Sequence, residues 1–462
     1  MSYKNWLLVF SILISTYILS VITAGCAQIG APTGGTKDTL APKLIKATPD
    51  ERTVSFTGNK ITFTFDEYIE VQDAFTNLLV SPLPKNNPTV DYKLKTITVK
   101  LKDTLLPNTT YSINFGNAIK DVNEGNVFSN FTYVFSTGNT IDSLSLEGKV
   151  LMAETGQPDS SLFAMLYRNA TDTAVQKRKP DYITRLKGDG SFRFTNLPAG
   201  NFKLYALKDG DGGKTYNSKT EIFAFAEKEI SVGQKNVATT LYAYAEQKEN
   251  KTPSAPTAAE KKIKYTTPAS STNQDLLTGL EINFNKPLKL FDSAKIFITD
   301  TNYTVVNATY FIDSLRKKIS ITPQWKEGAN YRLIIQNDAV SDSANTMLAK
   351  TDTIKFSTKK ESEYGNVVLR FANIDFSKHP VLLFMSGEEI KQAIVLTTNE
   401  WSKKLFAPGE YELRILYDNN KNGKWDAGNY SKKLQPEIVL PISKKFTIRP
   451  NWDNEKEINL SF

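Results

Sequence analysis

Residues 61–65 read Ile-Thr-Phe-Thr-Phe, 111–115 read Tyr-Ser-Ile-Asn-Phe and 131–135 read Phe-Thr-Tyr-Val-Phe. Large apolar side chains recur at every second position. In an extended chain successive side chains point to opposite faces, so each segment offers one face to a core and one to water. Turn residues separate the segments, and no long amphipathic helix interrupts them. Short period-two strands between turn clusters predict an all-β chain built from β-sandwiches.

The same pattern returns later. Leu280-Glu281-Ile282-Asn283-Phe284 takes the place of residues 61–65, and Glu327-Gly328-Ala329-Asn330-Tyr331 that of the turn before Tyr111. Asp121 has its counterpart in Asp342. Phe135-Ser136-Thr137 has its counterpart in Phe356-Ser357-Thr358. Residues 43–138 and 261–358 are therefore each expected to form one sandwich. A second unit also repeats. Gly190-Ser191-Phe192 leads to Leu197-Pro198-Ala199-Gly200 and the aromatic strand Phe202–Tyr205. Ala407-Pro408-Gly409-Glu410-Tyr411 matches that turn and strand, but no earlier Gly-x-Phe strand stands before it. This places further sandwiches at 139–246 and 359–462. Residues 247–260, rich in Lys, Pro, Ala and Thr without a period, read as a linker.

The start of the chain has a different character. Lys4 is the only charged residue before position 26, and the run Trp6 to Thr23 is apolar or small. It ends at Ala24-Gly25-Cys26. A positive start, an apolar stretch and small residues before a cut make a secretory signal. A cysteine at the cut can carry acyl chains, each buried CH₂ adding about 0.8 kcal/mol of membrane affinity. Residues 1–25 are thus expected to be a lipoprotein signal peptide and Cys26 the lipidation site. Two other readings stay open: a retained transmembrane helix and an ordinary cut that frees the protein. Residues 26–42, Gly-, Pro- and Thr-rich, read as a flexible tether.

The strands TFDEYI and FNKPLKL, PNTTYSINF and EGANYRLII, with their FST ends, resemble the bacterial Ig-like domain of surface-layer and other exported proteins. The Gly-x-Phe strand, Leu-Pro-x-Gly turn and aromatic strand are similar to the prealbumin-like domain appended to carboxypeptidases. Together with CAQIGAPTGGTKDTLAP, the Ig-like copies resemble a family of Ig-like lipoproteins of the Bacteroidota. That resemblance implies a lipid-anchored protein of the outer membrane, on its periplasmic or extracellular face.

Composition narrows the function. The chain has one His, one Cys and a formal charge of +8 spread thinly. No disulfide can staple it, a Ser-His-Asp or Cys-His set could be built only around the single His, with no second one to spare, and no His cluster binds zinc. Nucleic acid binding is not indicated without a basic block. His379, beside Pro380, reads as a surface loop residue. Asp66-Glu67 could serve a glycosidase only across a cleft, and adjacent strand residues point apart.

Three sets of residues remain as candidates. Asp418, Asn420 and Asn422, followed by Gly423 and Asp426, open like an EF-hand calcium loop, although Asn429 stands where the closing Glu belongs. A plain Asx-rich turn is the competing reading. Asp209-Gly210-Asp211 keeps fewer ligands. Trp401, Trp425 and Trp452 could stack on sugars or line a core. Asp-Ser/Thr-aliphatic triplets place Thr39, Thr104, Ser143, Thr173, Ser293, Ser314, Ser343 and Thr353 in a pattern similar to the O-glycosylation acceptor of the Bacteroidota. The expected function is non-catalytic: a modular scaffold or accessory subunit binding an envelope protein, with glycan binding as the alternative.

Overall fold

The computed structural model describes residues 3–23, 36–233, 239–247, 262–270, 273–442 and 444–460. Helix α1 (Tyr3–Thr23) stands first, and its described side chains from Trp6 to Ile18 are exposed. After it, the described residues form β-structure with a few short helical turns. The chain divides into two compact units, one of residues 1–80 and 84–141 and one of residues 81–83 and 142–462.

The first unit carries one sandwich. Its strands are β1 (Leu44–Thr48), β2 (Lys60–Phe65), β3 (Ile69–Val71), β4 (Leu79–Ser81), β5 (Thr89–Lys93), β6 (Thr96–Lys100), β7 (Thr110–Asn114), β8 (Ile119–Asp121) and β9 (Thr132–Ser136). They pair as β1-β2-β6-β5, β4-β7-β9 and the ribbon β3-β8. Alternation decides which residues go inside: Ile61, Phe63 and Phe65 are buried while Thr62 and Thr64 are not. Aromatic rings fill the space. Phe63 meets Phe115, Phe131 and Tyr133 edge-on at 5.5, 5.4 and 5.1 Å, a geometry that sets ring edges against ring faces.

The second unit opens with β10 (Leu144–Met152), β11 (Phe163–Arg168), β12 (Tyr182–Arg185), β13 (Ser191–Leu197), β14 (Gly200–Leu207), β15 (Phe223–Phe225), β16 (Ile230–Val232) and β17 (Thr239–Ala243). They form β13-β10-β17 and β12-β11-β14-β15, with β16 also on β14. Next come β18 (Tyr265–Thr266), β19 (Leu280–Phe284), β20 (Leu290–Phe291), β21 (Ile296–Thr299), β22 (Ala308–Ile312), β23 (Lys318–Pro323), β24 (Asn330–Ile335), β25 (Val340–Ser341) and β26 (Asp352–Ser357). Their order, β18-β19-β23-β22 with β21-β24-β26 and β20-β25, reproduces that of β1–β9 strand for strand. The core is aliphatic where the first was aromatic: Ile282, Ile298, Ile319, Ile321 and Leu333 are buried.

Last are β27 (Gly365–Ala372), β28 (Pro380–Ser386), β29 (Glu389–Val395), β30 (Glu400–Phe406), β31 (Gly409–Tyr417), β32 (Ile438–Pro441), β33 (Phe446–Ile448) and β34 (Asp453–Asn459). They pair as β30-β27-β34 and β29-β28-β31-β32, with β33 on β31. This is the order of β10–β17, including the parallel pair that closes each three-stranded sheet. The strand whose Gly-x-Phe signature the sequence lacks is therefore present as β30. Leu369 pairs with Trp401 where Gly148 pairs with Phe192, so an indole replaces the phenyl ring and the Gly-x-Phe signature disappears.

Local motifs explain the repeated words. Tyr111 Oη accepts from the Leu106 N–H at 2.8 Å, and Tyr331 Oη from the Lys326 N–H at 3.2 Å, a tyrosine corner in each copy. Thr137 and Thr358 end the FST segments. Their hydroxyls donate to the Leu106 and Lys326 carbonyls and accept from the Thr109 and Ala329 N–H groups. Gly200 and Gly409 both lie at positive φ, 147° and 154°, where a side chain would strain the turn.

The two copies of the second sandwich are joined although the chain between them makes β18–β26. Tyr430, from the loop before β32, packs on Phe223 and Phe225 with ring centres 5.1 Å away. Its hydroxyl lies 2.5 Å from the Asp172 carbonyl oxygen, to which it donates, and 3.0 Å from the Tyr205 hydroxyl. Its N–H donates to Glu246 Oε1 at 3.0 Å, which also accepts from the Tyr216 hydroxyl. Gln435 Nε2 donates to the Phe225 carbonyl and the Val439 N–H to that of Ala153. Tyr430→Phe is expected to cost about 2 kcal/mol, since it removes two hydrogen bonds, the one to the Asp172 carbonyl and the one from the Tyr205 hydroxyl. Tyr430→Ala is expected to cost about 3 kcal/mol and to separate a single urea transition into two, read by far-ultraviolet circular dichroism, since the earlier copy holds no tryptophan. Coincident transitions in Tyr430→Ala would show that the copies are not coupled there.

Candidate functional site

The loop after β31 begins at Asp418, which is 2% exposed. Its carboxylate accepts from the backbone N–H groups of Asn422 and Gly423 at 3.2 and 2.7 Å. Asn420 and Asn422 each turn a side-chain amide to Asp426 Oδ2 at 2.6 Å. A residue not anticipated from the sequence holds the loop from below. Glu437, 5% exposed, accepts from the N–H groups of Asn419, Asn420 and Asp426. Burial, followed by the nearby Asp418 charge, pushes its carboxyl up from the usual range although those N–H donors oppose the shift.

The other copy identifies what is shared. Strand register sets Asp209 against Asp418 and Glu221 against Glu437, the residues that leave one strand and enter its neighbour. Glu221 accepts from the Asn217 and Ser218 N–H groups, so it too ties down its loop. The charge balance differs. Lys214 Nζ stands 3.4 Å from Asp209, while Asp418 makes no ion pair among the described residues. Oxygen donors of Asp418, Asn420, Asn422 and Asp426 are the kind a hard divalent cation takes. No group of three His, Cys, Asp or Glu side chains placed to hold a metal occurs among the described residues. Glu437, eleven residues beyond Asp426, was visible only through alignment of the two return strands.

A second acidic group lies in the first unit. Burial and then the charges of Asp121, Asp66, Asp38 and Glu124 raise the Glu67 carboxyl. In the second Ig-like copy Lys286 replaces Glu67 and reaches Asp342 at 3.0 Å. Asp66 and Asn285 keep one task, each accepting the N–H of a lysine, Lys43 or Lys264. These carboxylates gather at one end of the sandwich.

The remaining candidates fall as follows. Cys26 lies outside the described residues, as do residues 24–35 of the signal and tether and 248–261 of the linker. Thr39, Thr104, Ser143, Thr173, Ser293, Ser314, Ser343 and Thr353 are all exposed. All but Thr353, which sits in β26, lie in turns, loops or short helical turns. Several of the preceding aspartates cap those turns, as Asp292 does for the Ala294 N–H and Asp342 for those of Ala344 and Thr346. Of the three tryptophans, Trp401 packs on Phe384 and Phe406. Trp425 donates its indole N–H to the Glu437 carbonyl at 2.7 Å and covers the cluster of Val381, Leu383 and Met385. Only Trp452 stands out, 59% exposed, so the three do not form a common surface platform. His379 is half-buried in a left-handed turn whose carbonyl accepts the Asp418 N–H.

Residues 38–137 and 257–358 each match the model of the bacterial Ig-like domain. No curated protein matches the chain. Among solved structures, the N-terminal part of the bacterial S-layer protein SbsC aligns at 18% identity over 45% of this chain and 44% of its own, TM-score 0.16. A longer form of SbsC aligns at 14% identity over 90% of this chain and 54% of its own, TM-score 0.17. This chain thus spans about half the length of those S-layer chains. The Bacillus anthracis TIE protein aligns at 12% identity over 93% of this chain and 76% of its own, TM-score 0.16. At such values these likenesses say nothing of what the chain binds.

Asp121 provides a pH test of the first sandwich. It is buried, and burial pushes its carboxyl up. The N–H groups of Glu124, Gly125 and Asn126, at 2.6 to 2.9 Å, outweigh that and hold it below the usual range. A depressed folded pKa contributes stability that is present above the unfolded value, about 3.9, and lost as pH falls through the folded one. Asp121→Asn is therefore expected to lower the urea midpoint at pH 7, with the gap to wild type closing below about pH 4. A gap that stays constant with pH would refute this.

Proposed function

We propose that this chain is a non-catalytic, lipid-anchored envelope protein, a modular scaffold or accessory subunit that holds a protein partner at the outer membrane. One observation carries the reading: two sandwich types are each used twice with the same strand order, and the copies of one type clamp together through Tyr430. Such an array offers loops and edges on a rigid frame, which is what a scaffold requires. The two matches to the bacterial Ig-like domain agree with a structural role at the cell surface or envelope. The anchor in this reading is the acyl group on Cys26, at the end of the apolar run.

The intact mass of the native protein tests anchor and glycans together. The expected mass is that of residues 26–462 plus acyl chains, with further sugar increments on the exposed Ser/Thr of the triplets. Cys26→Ser is expected to remove the acyl mass and release the protein from the membrane fraction. A native mass equal to the bare peptide would sink both proposals.

We also propose calcium for the Asp418 loop, on the strength of the side-chain oxygens of Asp418, Asn420, Asn422 and Asp426 gathered there and of the buried Asp418 carboxylate, which makes no ion pair among the described residues. Calcium alone, added to chelator-treated full-length protein, is expected to raise the melting temperature saturably by about 1 mM, the range of extracellular modules. Asp418→Asn should abolish the rise. No shift in the wild type at a few millimolar would exclude the site.

A further inference from the structure

We propose that the outer edge of β29 receives an extended, uncharged apolar segment of a partner protein, added alongside it as a further strand. This rests on the scaffold reading and names the surface through which it acts.

The argument comes from comparing the two copies. Strands β12 and β29 occupy the same edge of the same five-stranded sheet. In the first copy that edge is closed by Ser81–Leu83, which belong to the same compact unit. The Leu83 N–H donates to the Asp181 carbonyl at 2.8 Å and the Ser81 hydroxyl to that of Ile183 at 3.2 Å. Tyr182 and Ile183 beneath are buried. In the second copy the edge is longer, running from Glu389 to Val395, and nothing among the described residues bonds to its outer backbone. In the second Ig-like domain, the turn after β21 folds back on itself through the Thr299–Val305 bridge, so it supplies no cover.

An unpaired edge presents a row of N–H and C=O groups, and proteins normally guard it with charge. Here the guard is confined to one end, where Lys391 sits at a bulge in the pairing with β28. Lys391 is tied to Glu389 at 2.6 Å, and Gln392-Ala393-Ile394-Val395 carry no charge. Register places Ile390, Ala393 and Val395 opposite Met385, Leu383 and Val381, whose side chains form one buried apolar cluster. Yet Ile390 is 53% and Val395 62% exposed. A strand laid along this edge would pair its backbone and extend that cluster over both residues, the mode of strand addition in which backbone bonds give affinity and side chains give choice. The closing segment of the first copy, Ser81-Pro82-Leu83, indicates the chemistry of the occupant: short and uncharged, with apolar side chains beside at most a small polar one.

The test uses the full-length chain with Ala393→Cys, an exposed position, and Thr309→Cys on the exposed edge strand β22 as control. Thiol labelling by a maleimide is compared in native membranes and in purified, detergent-solubilised protein. The expected result is slow labelling at 393 in membranes and fast labelling after purification, with the control unchanged. Adding Ile390→Lys and Val395→Lys should restore fast labelling in membranes while the melting temperature stays at the wild-type value. Equally fast labelling in both preparations would overturn the proposal. Protection that appears in purified protein as its concentration rises would also overturn it, assigning the edge to a second copy of the chain. If other proteins co-purify while residue 393 stays reactive, this inference fails and the scaffold reading stands.

Discussion

Each strand here has two faces and two edges: an apolar face is driven out of water, and an unpaired backbone edge is a template for another segment. The architecture follows from how those four surfaces are covered. One face of every sheet is buried inside its own sandwich by alternating side chains, as Ile61, Phe63 and Phe65 are. Edges are covered by neighbouring segments: residues 52–56 bond along β9 through the Arg52 and Phe56 N–H groups. Without disulfides, this covering is the whole of what holds the chain together. The outer face of one five-stranded sheet is closed by the copy from the far end of the chain, which brings Tyr430 against Phe223 and Phe225.

Period-two alternation made the sandwiches legible, because burial of one row is a local property of the strand. The repeat was legible too, since the tyrosine corner and the FST threonine leave fixed words in the sequence. The strand β30 was not, because Trp401 performs the packing of Phe192 without its spelling. The Tyr430 seam was also hidden. Nothing local distinguishes a tyrosine that will cross to another domain from one that stays in its own loop.

The same limit governed the candidate sites. The Asp418 loop could be read from its alternating Asp, Asn and Asn, but Glu437 enters from the next strand and became visible only when the two copies were aligned in space. Asp209 and Asp418 keep the same position with different neighbours: Lys214 pairs with one, and among the described residues no side-chain cation reaches the other. Glu67 and Lys286 repeat that contrast in the Ig-like pair. Duplication has preserved the frame, while charge diverged where the frame does not depend on it.

The seam has a mechanical meaning. Because the two like sandwiches are bonded to each other, the Ig-like domain between them in sequence is a side loop of the load path. A pull on the C-terminal strand passes through Tyr430, Gln435 and Val439 directly into the earlier copy. The second Ig-like domain feels no tension until those contacts part. Under such a pull, the length held back would be that of one sandwich, let out when the seam parts.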